Sequence, residues 1–143
     1  MGLTSIPLAL SLLAAAVPAP KAAPIASEAF AAWLQQANRE ELELGCVDPA
    51  IGMADARRQQ IRNRLLELDP APQPFDVVLA NATALLRCGS PDSAAVVLQR
   101  TSPGSPQARR RWLLLRWRAA AAGLDHRQAA LALRRLVLSL IHI

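Results

Sequence analysis

Apolar residues recur every three or four positions over most of residues 27–137, the spacing that places them on one face of an α-helix. Stretches such as "DPAPQP" and "TSPGSP" interrupt this pattern, because proline removes a backbone donor and restricts the residue before it. Ser27, Ser90 and Asp125 are predicted N-caps. The six predicted helices are Ser27–Leu44, Met53–Leu68, Phe75–Cys88, Pro91–Arg100, Gln107–Ala122 and a last helix that ends near Val137.

The fifth predicted helix, Gln107–Ala122, is apolar on two sides rather than one. Two nearly opposite polar strips run along it, and they consist of Arg109 with Arg116 and Arg111 with Arg118. The gaps between the strips are filled by Trp112, Leu115 and Ala119 on one side and by Leu113, Trp117 and Ala120 on the other. A helix that is apolar on two sides needs neighbours on two sides. The pattern therefore predicts an inner helix of a stacked array.

A possible repeat is marked by two glycines. Gly89 and Gly123 lie 34 residues apart, each between two predicted helices of similar length. This spacing resembles the tetratricopeptide repeat, a helix–turn–helix unit of 34 residues. Further matches lie at Ala82, Ala94, Pro106 and Trp112, whereas Arg116 and Gln128 replace small residues. The resemblance covers about residues 73–137 and implies an all-α stack of antiparallel hairpins, a short solenoid; a generic array of α-hairpins has the same spacing.

Composition agrees with a helical fold. Hydrophobic residues make up 52% of the chain and aromatic residues only 3%. Alanine and leucine dominate the hydrophobic residues, and both favour helix over sheet. The net charge of +5 is unevenly distributed. Residues 106–143 carry eight basic and one acidic side chain, whereas residues 1–105 carry eight basic and ten acidic ones. The basic part could attract nucleic acid, anionic lipid or an acidic partner, or could simply be a solvated arginine face.

The N-terminal residues resemble a secretory signal peptide. A short apolar core is followed by Ala14-Ala15-Ala16, which fits a cleavage site, although no lysine or arginine precedes the core. We expect a signal peptide at residues 1–16, a flexible linker at residues 17–26 and export to the periplasm or another outer compartment. The alternatives are an alanine- and proline-rich leader or a start codon assigned at the wrong place. No stable membrane span is expected after cleavage.

Cys46 and Cys88 are the two cysteines of the chain. An even pair in an oxidising compartment predicts one disulfide, and the helix map permits it because both residues end a helix with one helix between them. The alternative is two unpaired small core residues. A zinc site is not expected, since histidines at ligand spacing are missing.

The C-terminal segment "LSLIHI", Leu138–Ile143, follows the last predicted helix without a stop signal. It is the direct translation of CTGTCTCTTATACACATC, which matches a transposon-end adapter used to prepare sequencing libraries. We therefore expect an adapter artefact at residues 138–143 and a truncated helical-repeat domain at residues 27–137. The alternative is an apolar plug that packs on the stack or on a partner.

No catalytic or cofactor site is predicted. Asp125 fits a helix cap, and His126 fits an exposed residue of the first turn. A nucleophile triad of these two residues with Ser90 or Ser93 is less favoured, because no G-x-S-x-G motif is present. The glutamates of "REELE" fit a solvated helix face, and the glycines fit helix ends rather than a phosphate loop. "RRRWLLLRWR" mixes arginine with tryptophan as some nucleic-acid binders do, but core packing explains its tryptophans better.

These features together predict an exported, non-enzymatic helical-repeat module that binds a protein or an anionic envelope polymer. Its concave face would contact acidic groups through Arg109, Arg111, Arg116 and Arg118. One alternative is the helical region of a larger periplasmic enzyme, since the stack is broadly similar to the superhelix of some lytic transglycosylases. A basic cytosolic RNA-binding domain is a third possibility if the signal peptide is absent. The DNA beyond the Val137 codon distinguishes the first two.

Overall fold

A computed structural model describes residues 25–52 and 54–141, and this part of the chain is entirely helical. The helices are α1 (Ser27–Gln36), α2 (Arg39–Gly45), α3 (Pro49–Gly52), α4 (Asp55–Leu68), α5 (Phe75–Arg87), α6 (Pro91–Leu98), α7 (Pro106–Ala122) and α8 (His126–Ile141). The all-α prediction is confirmed for these residues. The predicted signal peptide, most of the predicted linker and residues 142–143 lie outside the described part.

The first predicted helix is divided in two, so the prediction of one helix over Ser27–Leu44 was wrong. Asn38 begins α2 through a capping box with Glu41: the Asn38 Oδ1 accepts from the Glu41 backbone N at 2.9 Å, and the Asn38 N donates to the Glu41 Oε2 at 2.8 Å. Ser27 is the first residue of α1 and does not cap it, since Ala26 occupies the N-cap position.

The helices after residue 73 form two pairs that pack on each other. A three-residue connection joins α5 to α6 and another joins α7 to α8, and the helices of each pair are in contact, as in an α-hairpin. Helices α2 and α4 pack against α5 on one side of these pairs, and α7 packs against α5, α6 and α8. The arginine-rich helix therefore contacts helices that precede it and the helix that follows it in the chain.

The main core runs through helices α1 to α7 and consists mainly of aliphatic side chains, together with Phe30 and the two cysteines. Leu115 and Ala119 of α7 belong to it, whereas Leu113 of α7 and Ala132 of α8 are buried outside it. Asn81 is the buried polar residue found among the described residues. The fully buried large side chains are Leu42, Ile61, Leu65, Leu85, Leu98, Leu113, Val97 and Asn81.

The structure brings Cys46 and Cys88 together as a disulfide, with 5.4 Å between their Cα atoms. Cys46 is the C-cap residue of α2, and Cys88 is the C-cap residue of α5. Both are buried in the main core. The bond therefore ties the N-terminal helices to the first of the two helix pairs.

Helices α5 and α7 end in the same hydrogen-bond pattern, the Schellman motif. In α5, Ser90 N donates to Leu85 O and Gly89 has a φ of 69°. In α7, Asp125 N donates to Ala120 O, but the residue with positive φ is Leu124, at 60°. The structural equivalent of Gly89 is thus Leu124, 35 positions later. Gly123 is therefore not equivalent to Gly89, although the 34-residue glycine spacing predicted that it would be.

Helix α8 continues beyond its predicted end near Val137 to Ile141. Asp125 caps it as predicted, since its Oδ1 accepts from Gln128 N at 3.0 Å. The Arg110 Nη2 donates to the backbone oxygen of Ser139 at 3.1 Å, which holds the end of α8 against α7. Leu133, Val137 and other apolar residues on the outer side of α8 remain exposed.

Candidate functional site

The four arginines of α7 that were predicted to bind acidic groups lie on different surfaces of the structure. The Arg111 Nη1 lies 3.1 Å from Asp76 Oδ1, and its guanidinium carbon lies 5.9 Å from the centre of the Phe75 ring. Arg118 is exposed, and its side chain takes part in none of the ion pairs found among the described residues. The two strips therefore do not form one binding surface.

Arg109 lines an open groove between α7, α8 and the connection before α7. This arginine groove has a volume of about 630 Å³. Its lining residues are Gly104, Pro106, Arg109, Trp112, Leu113, Arg135, Leu138 and Ser139. Neither of its arginines belongs to an ion pair in residues 25–52 and 54–141. The groove thus combines two cations without a counter-ion and a partly apolar wall.

Trp112 forms that wall in a fixed orientation. Its Nε1 donates to the backbone oxygen of Leu98 at 2.8 Å, and the ring packs against the main core. Arg116 covers the ring, with its guanidinium carbon 4.5 Å from the ring centre, a cation–π contact. Arg135 was missed by sequence reasoning, because its place beside Arg109 depends on how α8 packs on α7.

Arg116 itself lines a second, smaller cavity between α6, α7 and α8. This charged cavity has a volume of about 290 Å³. It is lined by Asp92, Ala95, Gln99, Arg116, Ala119, Ala120, Gly123, Asp125 and Gln128. Desolvation lowers the pKa of the Arg116 guanidinium below its ordinary value, and the nearby positive charge of Arg135 lowers it further. A negative charge placed beside Arg116 would offset both of these unfavourable effects.

A third groove, of about 490 Å³, follows α2, α5 and α7 and is crossed by ion pairs. Glu43 of α2 pairs with Arg87 of α5, and Asp76 of α5 pairs with Arg111 of α7. The hydrogen bond that the Arg87 guanidinium donates to the Glu43 carboxylate raises the pKa of Arg87. Carboxylates and guanidinium groups alternate here, so the charges of this groove are compensated by pairing with one another.

Several of the residues weighed for catalysis have structural roles or are exposed. Asp125 caps α8, and His126 is an exposed residue of its first turn. Glu41 belongs to the capping box of α2, and Glu43 belongs to an ion pair. In the described part of the chain, no three histidine, cysteine, aspartate or glutamate residues are grouped so that they could hold a metal ion.

Comparisons with models of protein families, with curated proteins and with solved structures found no match for this chain. None of the helices described in residues 25–52 and 54–141 is long and apolar enough to cross a membrane. Function is therefore inferred from the grooves, cavities and charges of the described residues.

Proposed function

We propose that this chain is an exported helical-repeat module that binds acidic groups of another protein or of an anionic envelope polymer and carries out no catalysis. The observation that supports the proposal is the arginine groove, where Arg109 and Arg135 line open space without a carboxylate partner among the residues described. The solenoid arrangement is supported by the successive contacts of α2 and α4 with α5, and of α5 and α6 with α7.

The chemistry of the groove favours carboxylates. A guanidinium group forms two parallel hydrogen bonds with one carboxylate, and each such charge-assisted bond contributes about 1.5–3 kcal/mol. The Trp112 ring beside Arg109 and Arg135 excludes part of the water, which strengthens the attraction. The excess of arginine in residues 106–143 also attracts an acidic partner from a distance.

Export is supported by the covalent structure of the core. The disulfide between Cys46 and Cys88 fits an oxidising compartment, where such bonds persist, and the resemblance of residues 1–16 to a signal peptide points to the same destination. Both observations favour the periplasm or the cell exterior over the cytosol. The predicted partners are accordingly envelope molecules rather than nucleic acid.

Binding of two acidic probes tests the proposal: a glutamate-rich peptide and a carboxylated polysaccharide, each compared with an uncharged analogue. The wild-type chain should bind at least one acidic probe, and raising the salt concentration should weaken binding because exposed charges are screened. The double variant Arg109→Gln/Arg135→Gln should lose at least tenfold in affinity. Arg118→Gln is the matched control, since it removes an exposed arginine of α7 outside the groove.

The two probes distinguish the two sources of acidic groups, a protein segment and an envelope polymer. Equal affinity of the wild type and the double variant for both probes would refute the proposal. The same conclusion would follow if the charged and uncharged probes bound equally well.

A further inference from the structure

The charged cavity contains opposite charges that do not pair with each other. Arg116 contributes a guanidinium, and Asp92 and Asp125 contribute carboxylates. Among the described residues, no nitrogen of Arg116 lies within 4.0 Å of a carboxylate oxygen. Groups of opposite charge that face one cavity without contact can each interact with a ligand placed between them.

The arrangement discriminates between simple ions and a ligand that carries both charges. An anion is attracted by Arg116 but repelled by the two aspartates, and a cation experiences the opposite forces. A molecule with a carboxylate at one end and an ammonium group at the other is attracted at both ends. The amides of Gln99 and Gln128 can donate to or accept from either end.

The size of the cavity restricts the ligand to a small molecule. Its volume of about 290 Å³ lies just below the range of roughly 300–1,000 Å³ for small-molecule sites. Ala95, Ala119 and Ala120 line it with short side chains, and a Cβ at Gly123 would lie 3.2 Å from Asp92 Oδ1. Larger side chains at these positions would occupy the space or displace Asp92.

Arg116 is also held in place before a ligand arrives. Its guanidinium rests on the Trp112 ring, which is itself held by a hydrogen bond to Leu98 O, so little side-chain freedom remains to be lost. An incoming carboxylate would compensate the desolvation of this half-buried cation and its repulsion by Arg135. The stacking thus prepares the cation for an anionic group.

We propose that the charged cavity binds a small zwitterion of the amino-acid type, either a free amino acid or a dipeptide. The carboxylate lies against Arg116, and the ammonium group lies against Asp92 and Asp125. The residues that line this cavity differ from those that line the arginine groove, although Arg116 of the cavity stacks on Trp112 of the groove. The cavity can therefore exist whether or not the groove binds an acidic partner.

Titration of the full chain, followed by backbone amide chemical shifts, tests the proposal at constant ionic strength. The four probes are alanine, alanyl-alanine, acetate and methylammonium. At least one zwitterion should cause saturable shifts around the cavity and bind at least tenfold more tightly than either simple ion. The comparison of alanine with alanyl-alanine shows which separation of the two charges the cavity accepts.

Two independent variants should each reduce zwitterion affinity at least tenfold. Arg116→Gln removes the cation, and Asp92→Asn/Asp125→Asn removes the carboxylates while an asparagine still caps α8. Arg118→Gln and Arg109→Gln are the controls and should bind the zwitterion as the wild type does. Arg109 lines the arginine groove and not the charged cavity. Arg109→Gln therefore distinguishes zwitterion binding, which it should leave unchanged, from binding of an acidic partner, to which Arg109 contributes in the proposed function.

Three results would overturn the proposal. Absence of saturable shifts with both zwitterions means that the cavity is not a ligand site of this kind. Acetate binding as tightly as alanine means that Arg116 binds anions only. Unchanged affinity in the double asparagine variant, with native amide shifts, means that the aspartates do not contact the ligand.

Discussion

Gly45 shows how the packing around a residue, rather than its backbone conformation, can leave no room for a side chain. It is buried at the end of α2, where a Cβ would lie 2.5 Å from Cη2 and 2.9 Å from Cζ2 of Trp33. The sequence predicted Gly45 only as a helix end, because glycine is common there. The close approach of Trp33 depends on how α1 folds back on α2, which no local pattern reveals.

Gly45→Ala should destabilise the protein by about 1–3 kcal/mol, because the Trp33 ring has to move out of a packed position. Chemical unfolding of the variant and the wild type measures this difference. Gly104→Ala is the matched control, since nothing lies within 4 Å of a Cβ at Gly104. A Gly45→Ala variant as stable as the control would contradict the tight packing against Trp33.

At the scale of elements, the sequence located most of the helices but not all of their ends. Helix α4 begins at Asp55 rather than Met53, α6 ends at Leu98 rather than Arg100, and α8 extends past Val137. The break at Asn38 was missed although the pattern of asparagine followed by glutamate three residues later was present. Apolar spacing continues across the break, so the spacing alone does not reveal that the helix is divided.

The end of α7 offers a test of backbone strain. Leu124 has a φ of 60°, a conformation that costs a residue with a Cβ about 1–2 kcal/mol, and its side chain is 73% exposed. Leu124→Gly should therefore raise the free energy of unfolding by roughly 1 kcal/mol, measured by chemical or thermal unfolding.

Leu124→Ala is the control for that variant, because alanine keeps the Cβ and should give no comparable gain. Equal effects of the two substitutions would show that the exposed leucine side chain, and not the backbone conformation, determines the stability of this helix end.

At the scale of the whole molecule, the two ends of the described chain differ in how firmly they are held. The disulfide and the main core join α2, α4 and α5. Helix α8 contacts α7 and has one buried residue, Ala132, whereas Leu133 and Val137 are 44% and 47% exposed. We therefore expect α8 to open at lower free-energy cost than the helices near the disulfide.

Loss of the disulfide should lower the free energy of unfolding by about 2–4 kcal/mol, because the bond closes a long segment of the unfolded chain. Its cysteines are 42 positions apart. Urea unfolding of the wild type with and without reductant, and of Cys46→Ala/Cys88→Ala, measures the effect. Mass spectrometry should find two more hydrogens after reduction; equal masses and equal stabilities would contradict the bond.

The candidate sites were only partly predictable. The sequence identified Arg109 and Arg116 as candidate contacts, because their spacing exposes them along one side of α7. It did not show that Arg109 lines a groove together with Arg135 of α8 or that Arg116 lines a cavity together with Asp92 of α6. Those neighbours come from other helices and depend on the packing of α6, α7 and α8.

The amino-acid sequence by itself determined that this protein is helical, that α7 has two apolar sides, and where proline and glycine separate the helices. These properties are local, since they follow from the spacing of apolar residues and the backbone preferences of single residues. Only the tertiary structure decided which charges meet, which glycine has no room for a side chain, and which residue takes the left-handed conformation after α7. Those outcomes depend on distances between helices, which local spacing does not contain.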